Sequence, residues 1–460
     1  MFTNNVIKTK SLPKAIEEML GEIDIKIDYT ENLSETQKKA FKLFQEKKNL
    51  VILSSGGTGK SFCIKVMEES VKNTDRKMQL CSTSGISSYN IGGMTIHSFM
   101  GIGTGDLDIQ TLINKVVRKK MYRDRIQEID ILVIDEISML SASLMEKLNI
   151  LCQTIRKNKK FFGGIQVIFT GDPLQLEAIF NNNKKIYKED DSRLIVESDI
   201  FNKEFNNKKK NIIIFKENFR QKGDPTFINM LLRIRNNTHT KDDLEILNKR
   251  KILPKDPSLH VHLVSSNKKA QDINETNLQK INNKEHIFEA IYTNTGRNKE
   301  LTEILTKELE FQFKQKGIHN LILKKNARVM LVKNLDVQLG LVNGALGTII
   351  HIVENIIKVK FDNDIEYDIK PINWDIEIDN CKATSIQIPL ILAYAITTHK
   401  SQGITLTSAV LDLDDCFANH MVYVALSRLK TLDGMYLKSF DPKKIKINKK
   451  IKEYLDSIEN

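Results

Sequence analysis

The chain has 460 residues, 70 Lys+Arg against 58 Asp+Glu, and 41% hydrophobic residues. A prior of roughly 150 residues per domain gives about three domains, each with enough apolar content for a core. The net charge of +12 suits a polyanionic partner, although a lysine-rich solvated surface gives the same excess. The 5 cysteines include no C-x-x-C pair, so neither a zinc site nor a disulfide framework is indicated, and a reducing compartment is expected. No apolar run approaches the ~20 residues of a membrane span. The N-terminal stretch MFTNNVIKTKSLPK lacks the apolar core of a secretory signal.

In chain order, short β-branched runs at Leu50–Leu53, Ile131–Ile134, Ile165–Phe169, Ile212–Phe215, Val261–Val264, Ile391–Ile396 and Ala409–Leu413 read as buried strands. Helical stretches alternate with them, which predicts parallel, doubly covered sheets of the α/β class. The runs fall into two groups, one before about residue 200 and one after about 210. From 283 to 388 the pattern shifts to alternating strands with Asn-Gly and Asn-Asp turns, a small antiparallel module inserted in the second α/β domain. A second insertion, 104–128, carries the basic run Val117–Arg125; a solvated helix face explains that run as well as a nucleic-acid contact does.

Ser54–Ser61 (SSGGTGKS) follows the first strand and precedes a helical stretch. Small residues there let successive backbone N–H groups face phosphate oxygens. Gly57, Thr58 and Gly59 form the cradle. Lys60 is expected on the β/γ-phosphates and the Ser61 hydroxyl on Mg²⁺. Ser54 stands where the usual pattern has Gly. Val133–Glu136 (VIDE) ends a strand in two carboxylates, Asp135 for the metal and Glu136 for the attacking water. Gln175, in the FTGDPLQL loop, is a candidate γ-phosphate sensor. Arg220 and Arg428, from the second domain, can each reach a transferring phosphoryl group, although a lone Arg is more often a surface ion pair.

Set in order, these segments resemble the PIF-type (petite integration frequency) DNA helicases of superfamily one, the branch that also holds RecD-like motors. The resemblance runs from about Leu33 to Phe440. LSETQKKAF at 33–41 is similar to the family's adenine-recognition segment and implies Gln37 on the base. SSGGTGKS, VIDEISML and FTGDPLQL match its nucleotide motifs. STSGISSYNIGGMTIHSFMGIG at 82–103 implies DNA contacts at Thr83, Gly85, His97, Ser98 and Phe99. LVSSNKKAQDIN and AITTHKSQGITL imply further DNA contacts at Asn267, His399, Lys400, Ser401 and Gln402, with Gly403 near the nucleotide. MVYVALSRLKTLDGMYL resembles the last motif and makes Arg428 the arginine finger. His97, Phe99 and His399 offer faces for base stacking; Phe99 is equally a core residue beneath its motif. Arg125–Ile126 departs from the family, in which an aromatic often follows this Arg.

The expected architecture is an N-terminal extension (1–29), two RecA-like domains (30–207, with a wedge at 104–128, and 208–282 with 389–445), an inserted SH3-like module (283–388) and a C-terminal tail (446–460). The expected activity is ATP- and Mg-dependent unwinding of DNA during replication, repair or recombination. The resemblance implies 5′-to-3′ movement on single strands by a monomeric motor, with forks and single-strand-binding or replication proteins as partners. Nucleus, mitochondrion and viral replication site are equally compatible. An RNA helicase, a translocase that does not unwind, a catalytically dead binding protein and a small-molecule kinase or GTPase are the alternatives.

Overall fold

The computed structural model describes residues 30–459 except 84–86, 89–90, 104, 106, 178–192, 207–210, 218–223, 258–259, 298, 337, 343, 379–380 and 403. Six parallel strands form the first sheet: β1 Leu50–Ser54, β2 Met78–Ser82, β3 Met94–Thr95, β4 Ile131–Asp135, β5 Gln166–Gly171 and β6 Ile212–Phe215. They are ordered β3-β2-β4-β5-β1-β6. Every residue of β1, β4 and β5 is buried. This fits a sheet covered on both faces, where each strand reads as a continuous apolar run. One face packs on a core that includes Phe162, Phe169, Phe201 and Phe205, and the other on Phe41, Phe44, Ile64 and Met67.

The chain then enters the second domain with β7, Val261–Val264, and leaves it to build the insert. The insert's strands are β8 His286–Glu289, β9 Ile291–Thr295, β10 Asn320–Leu323, β11 Arg328–Leu331, β12 Leu346–Val353, β13 Ile356–Phe361, β14 Glu366–Ile369, β15 Ile372–Ile378, β16 Cys381–Gln387 and β17 Leu390–Leu392. They form three small sheets, β10-β8, β14-β13-β12-β11-β17 and β15-β16-β9. The chain returns as β18 Ala395–Thr397, β19 Ala409–Asp412 and β20 Met435–Ser439, completing a parallel sheet ordered β18-β7-β19-β20.

Four features differ from the sequence reading. Ile212–Phe215, expected to begin the second domain, pairs with β1 at the edge of the first sheet, so the first domain runs past residue 207. The insert runs past 388, because Leu390–Leu392 pairs with β11 (Val329 opposite Leu392) instead of opening the second motor sheet. It also contains an 18-residue helix, Lys299–Lys316, whose Leu305, Leu309 and Phe313 are buried at four-residue spacing. The tail is structured: the helix Lys449–Glu459 sets Ile451 and Leu455 into the first domain's core, with Lys450 paired to Glu197. The last helix thus ties the end of the second domain back onto the first.

Within the 104–128 insertion, the helices Ile109–Arg118 and Lys120–Glu128 bury Leu112, Val116 and Ile126 against the first-domain core. Arg118, Lys119 and Lys120 are exposed. Ile126, which follows Arg125, is fully buried in that core.

Candidate nucleotide cleft and nucleic-acid interface

The phosphate loop lies between β1 and the helix Lys60–Val71. Gly57 and Gly59 have φ of 83° and 80°, a left-handed backbone that glycine adopts without a Cβ penalty. Gly59 caps the helix with no side-chain hydrogen bond, and the helix N-terminus with its first-turn N–H groups opens toward the loop, a setting suited to an anion. Ser54 is not among the positive-φ residues, so the turn does not require the Gly that stands there in the usual pattern. Its buried hydroxyl instead organises the loop: it accepts from Thr58 Oγ1 at 2.6 Å and from Lys60 Nζ at 2.9 Å. Lys60 also donates to the Ser55 carbonyl at 3.0 Å. Gln37 is buried. Its Nε2 donates to the carbonyls of Thr58 and Gly59, and its Oε1 accepts from Ser34 N at 3.0 Å, so this side chain braces the loop from beneath. Ser61 is exposed at the helix start.

Asp135 ends β4. Burial, with the neighbouring charge of Glu136, pushes its carboxyl up from the usual carboxylate range, while Lys60 opposes the shift. One of its oxygens, Oδ1, has no hydrogen-bond partner among the described residues. A buried carboxylate oxygen without a donor fits a cation or its water shell. Among the described residues no group of three or more His, Cys, Asp or Glu side chains could hold a metal alone. Glu136 sits in the left-handed region at φ 59°, an uncommon backbone for a residue with a side chain. The turn presses against Gly171, where a Cβ would come within 2.7 Å of Ile137 N. Gln175 is buried with Oε1 unpartnered, the state expected of a side chain that waits for a ligand.

Asp172, next to Gly171, was not singled out from the sequence. It is fully buried and reaches the second domain: Arg235 Nη2 donates to its Oδ1 at 2.6 Å and the Tyr423 hydroxyl to its Oδ2 at 3.1 Å. Burial alone would raise the Asp172 carboxyl, but Arg235, aided by Lys60, outweighs it and holds the group below its usual range. His420 borders this cluster, and burial lowers it to about 4. Its Nε2 accepts from Asn448 N at 3.0 Å, at the root of the last helix. Only the acid in the polar loop after β5 hinted at this latch; its partners lie 63 and 251 positions away.

Arg428 is 4% exposed and folded against its own domain. Its guanidinium donates to the Val424 carbonyl at 2.9 Å and to Ser427 Oγ at 2.8 Å. The expected reach across the cleft therefore requires a side-chain rotation. Arg220 and Gly403 lie outside the described residues, as does Gly85.

Of the expected DNA contacts, Ser98, Asn267 and Lys400 are exposed, and Thr83, His97 and His399 half-buried. Phe99 is 2% exposed within the first-domain core, which corrects its expected stacking role: no ring face reaches the surface. Ser401 is fully buried and donates to the Thr398 carbonyl at 2.8 Å, so its hydroxyl shapes the loop and is not presented to a strand. Gln402 is buried with both amide atoms unpartnered. Asn267, Thr397 and Lys400 line a groove of about 640 Å³ between the second motor sheet and the insert.

The profile of the PIF1-like helicase family matches residues 32–245, and that of the DNA helicase Pif1 2B domain matches 311–352. ATP-dependent DNA helicase PIF1 of Saccharomyces cerevisiae is 29% identical over 92% of this chain; the match spans 61% of the yeast protein. The crystal structure of Pif1 helicase from Candida albicans superposes with a TM-score of 0.78 at 29% identity, covering 93% of this chain and 99% of that one. Pif1 helicase from Bacteroides, in complex with ADP-AlF3 and ssDNA, gives a TM-score of 0.73 at 25% identity, covering 93% and 97%. The two matched profiles, the shared architecture and the ordered motifs make the chain similar in sequence and fold to the PIF1-like helicases.

Proposed function

We propose that this protein is a DNA helicase that couples ATP hydrolysis to movement along single-stranded DNA. The observation that carries the reading is the Asp172 latch. One carboxylate, one residue beyond the strand whose end faces Glu136, is held by Arg235 and Tyr423 of the other domain. A change at the phosphates is felt by Lys60 and Gln175, and through their loops by the residue that joins the two domains. Closing and opening of such a cleft is a gating motion of the kind that paces many motors.

In this reading Lys60 leaves Ser54 Oγ for the β/γ-phosphates, and Gly57 to Gly59 turn their N–H groups toward them. Glu136 accepts a proton from the attacking water. Arg428 rotates from Val424 and Ser427 toward the charge that builds on the phosphoryl oxygens, and the motif resemblance gives Arg220 the same role. Ser61 and Asp135 would hold Mg²⁺, which would neutralise phosphate charge. The relatives named above are DNA helicases, and the Bacteroides neighbour was crystallised with ssDNA, which supports DNA as the polymer. Movement from 5′ to 3′ rests on the motif resemblance.

The test is ATP turnover with and without single-stranded DNA, followed by unwinding of duplexes bearing either a 5′ or a 3′ arm. Strong stimulation by DNA and unwinding from the 5′ arm are expected. A turnover rate indifferent to DNA would remove the motor, and unwinding from the 3′ arm alone would reverse the direction.

A further inference from the structure

We infer that Phe417, paired with His399, is a stacking platform for a base of single-stranded DNA. The inference rests on the motor reading above and adds a contact residue to it. Phe417 is 65% exposed, the largest exposure among the exposed large hydrophobic side chains of the described residues. Its ring lies nearly parallel to the half-buried His399 imidazole, at 24° between planes and 6.1 Å between centroids.

The position of the ring follows from the topology. β18, β7 and β19 run parallel, so the segments that follow them leave the same edge of the sheet. In an open parallel sheet that carboxyl edge is where ligands bind. Asn267 follows β7, His399 and Lys400 follow β18, and Phe417 follows β19. The loop that carries Phe417 is pinned on both sides. Cys416 is buried, with its N–H on the Leu413 carbonyl, and His420 N donates to the Lys446 carbonyl at 2.7 Å. Lys269 ties Asp412 and Asp415 to the helix Asn267–Gln279 at 3.3 and 2.5 Å. An aromatic ring held outward between such anchors is presented to solvent and does not arrive there by slack in the loop.

The surroundings select a base over a phosphate or an apolar peptide. The exposed Asp414, three residues before Phe417, adds a charge that repels phosphate oxygens, while the exposed Lys400, next to His399 in the chain, attracts them. A strand with its backbone toward Lys400 would turn a base toward Phe417. Burial lowers the pKa of His399, which favours the neutral ring under Phe417. Stacking on a π-face tolerates any base, as a translocating motor requires.

The experiment measures binding of oligo-dT by fluorescence anisotropy for wild type, Phe417→Ala and Phe417→Trp, together with a strand of the same length that carries abasic sites. Phe417→Ala should weaken oligo-dT binding roughly ten-fold, and Phe417→Trp should restore it. On the abasic strand wild type and Phe417→Ala should bind alike, and the dependence on salt should be the same for both. Equal oligo-dT affinity for wild type and Phe417→Ala would overturn the platform and leave the motor reading standing. An equal loss on both strands would make Phe417 a structural residue and also overturn it. A wild-type chain that binds no single strand would remove the motor reading and the platform together.

Discussion

Arg235 holds Asp172 in a two-pronged ion pair across the domain boundary, with Nη2 at 2.6 Å and Nε at 3.1 Å from Oδ1. The carboxylate is fully buried and the arginine side chain is 12% exposed. Such a pair need not raise stability relative to an apolar one, but breaking it leaves a buried charge uncompensated. Its position, one residue past β5 and within the field of Lys60, makes it a joint between nucleotide and domain geometry.

Arg235→Met should therefore destabilise the protein by about 3–5 kcal/mol in urea unfolding. Asp172→Asn, which removes the charge and retains an acceptor for Tyr423, should cost less. Both should lose stimulation of ATP turnover by DNA to a greater extent than they lose ATP binding. Intact stimulation in a folded Arg235→Met variant would remove the coupling role.

Ser54→Ala removes one of the acceptors that hold Lys60 away from phosphate, without strain, since the backbone there suits any residue. The KM for ATP should fall a few-fold, and Ser54→Thr should behave as wild type. A higher KM in Ser54→Ala would show that the hydroxyl steers Lys60 toward the phosphates instead.

His420 supplies a pH test. Its folded value, about 4, lies below the ordinary 6.5. Below pH 6.5 the unfolded chain takes up a proton that the folded chain refuses. Stability from this group is therefore complete above 6.5, falls as the pH drops toward 4, and levels off below it. The slope is at most about 1.4 kcal/mol per pH unit. Melting curves from pH 7 to 4 should flatten in a His420→Gln variant; an unchanged slope would place the acid sensitivity elsewhere.

The last helix supplies a packing test. Leu455→Ala should cost about 2–5 kcal/mol, because the side chain fills the first domain's core. Urea unfolding measures it, and a change under 0.5 kcal/mol would show that the helix docks only loosely.

The motor sheets were legible because buried parallel strands are unbroken apolar runs, and the phosphate loop because its residue types follow from phosphate geometry. Less was visible where the determinant is long-range. Leu390–Leu392 reads like any motor strand, and only its pairing with Val329 assigns it to the insert. The helix Lys299–Lys316 was hidden among strands, although Leu305, Leu309 and Phe313 keep helical spacing. Phe99 and Ser401 sit in motifs that face the expected strand, yet their side chains turn inward. A motif fixes the backbone path more firmly than the direction of each side chain. Asp172 was missed because nothing local shows that a loop acid will meet an arginine 63 residues on.

The most direct test of the central claim is ATP-driven strand separation of a forked DNA duplex by wild type and by Lys60→Ala. Wild type should unwind the fork only when ATP is supplied, and Lys60→Ala should bind the same fork with comparable affinity and leave it intact. Unwinding by Lys60→Ala at the wild-type rate, or none by wild type, would contradict the account.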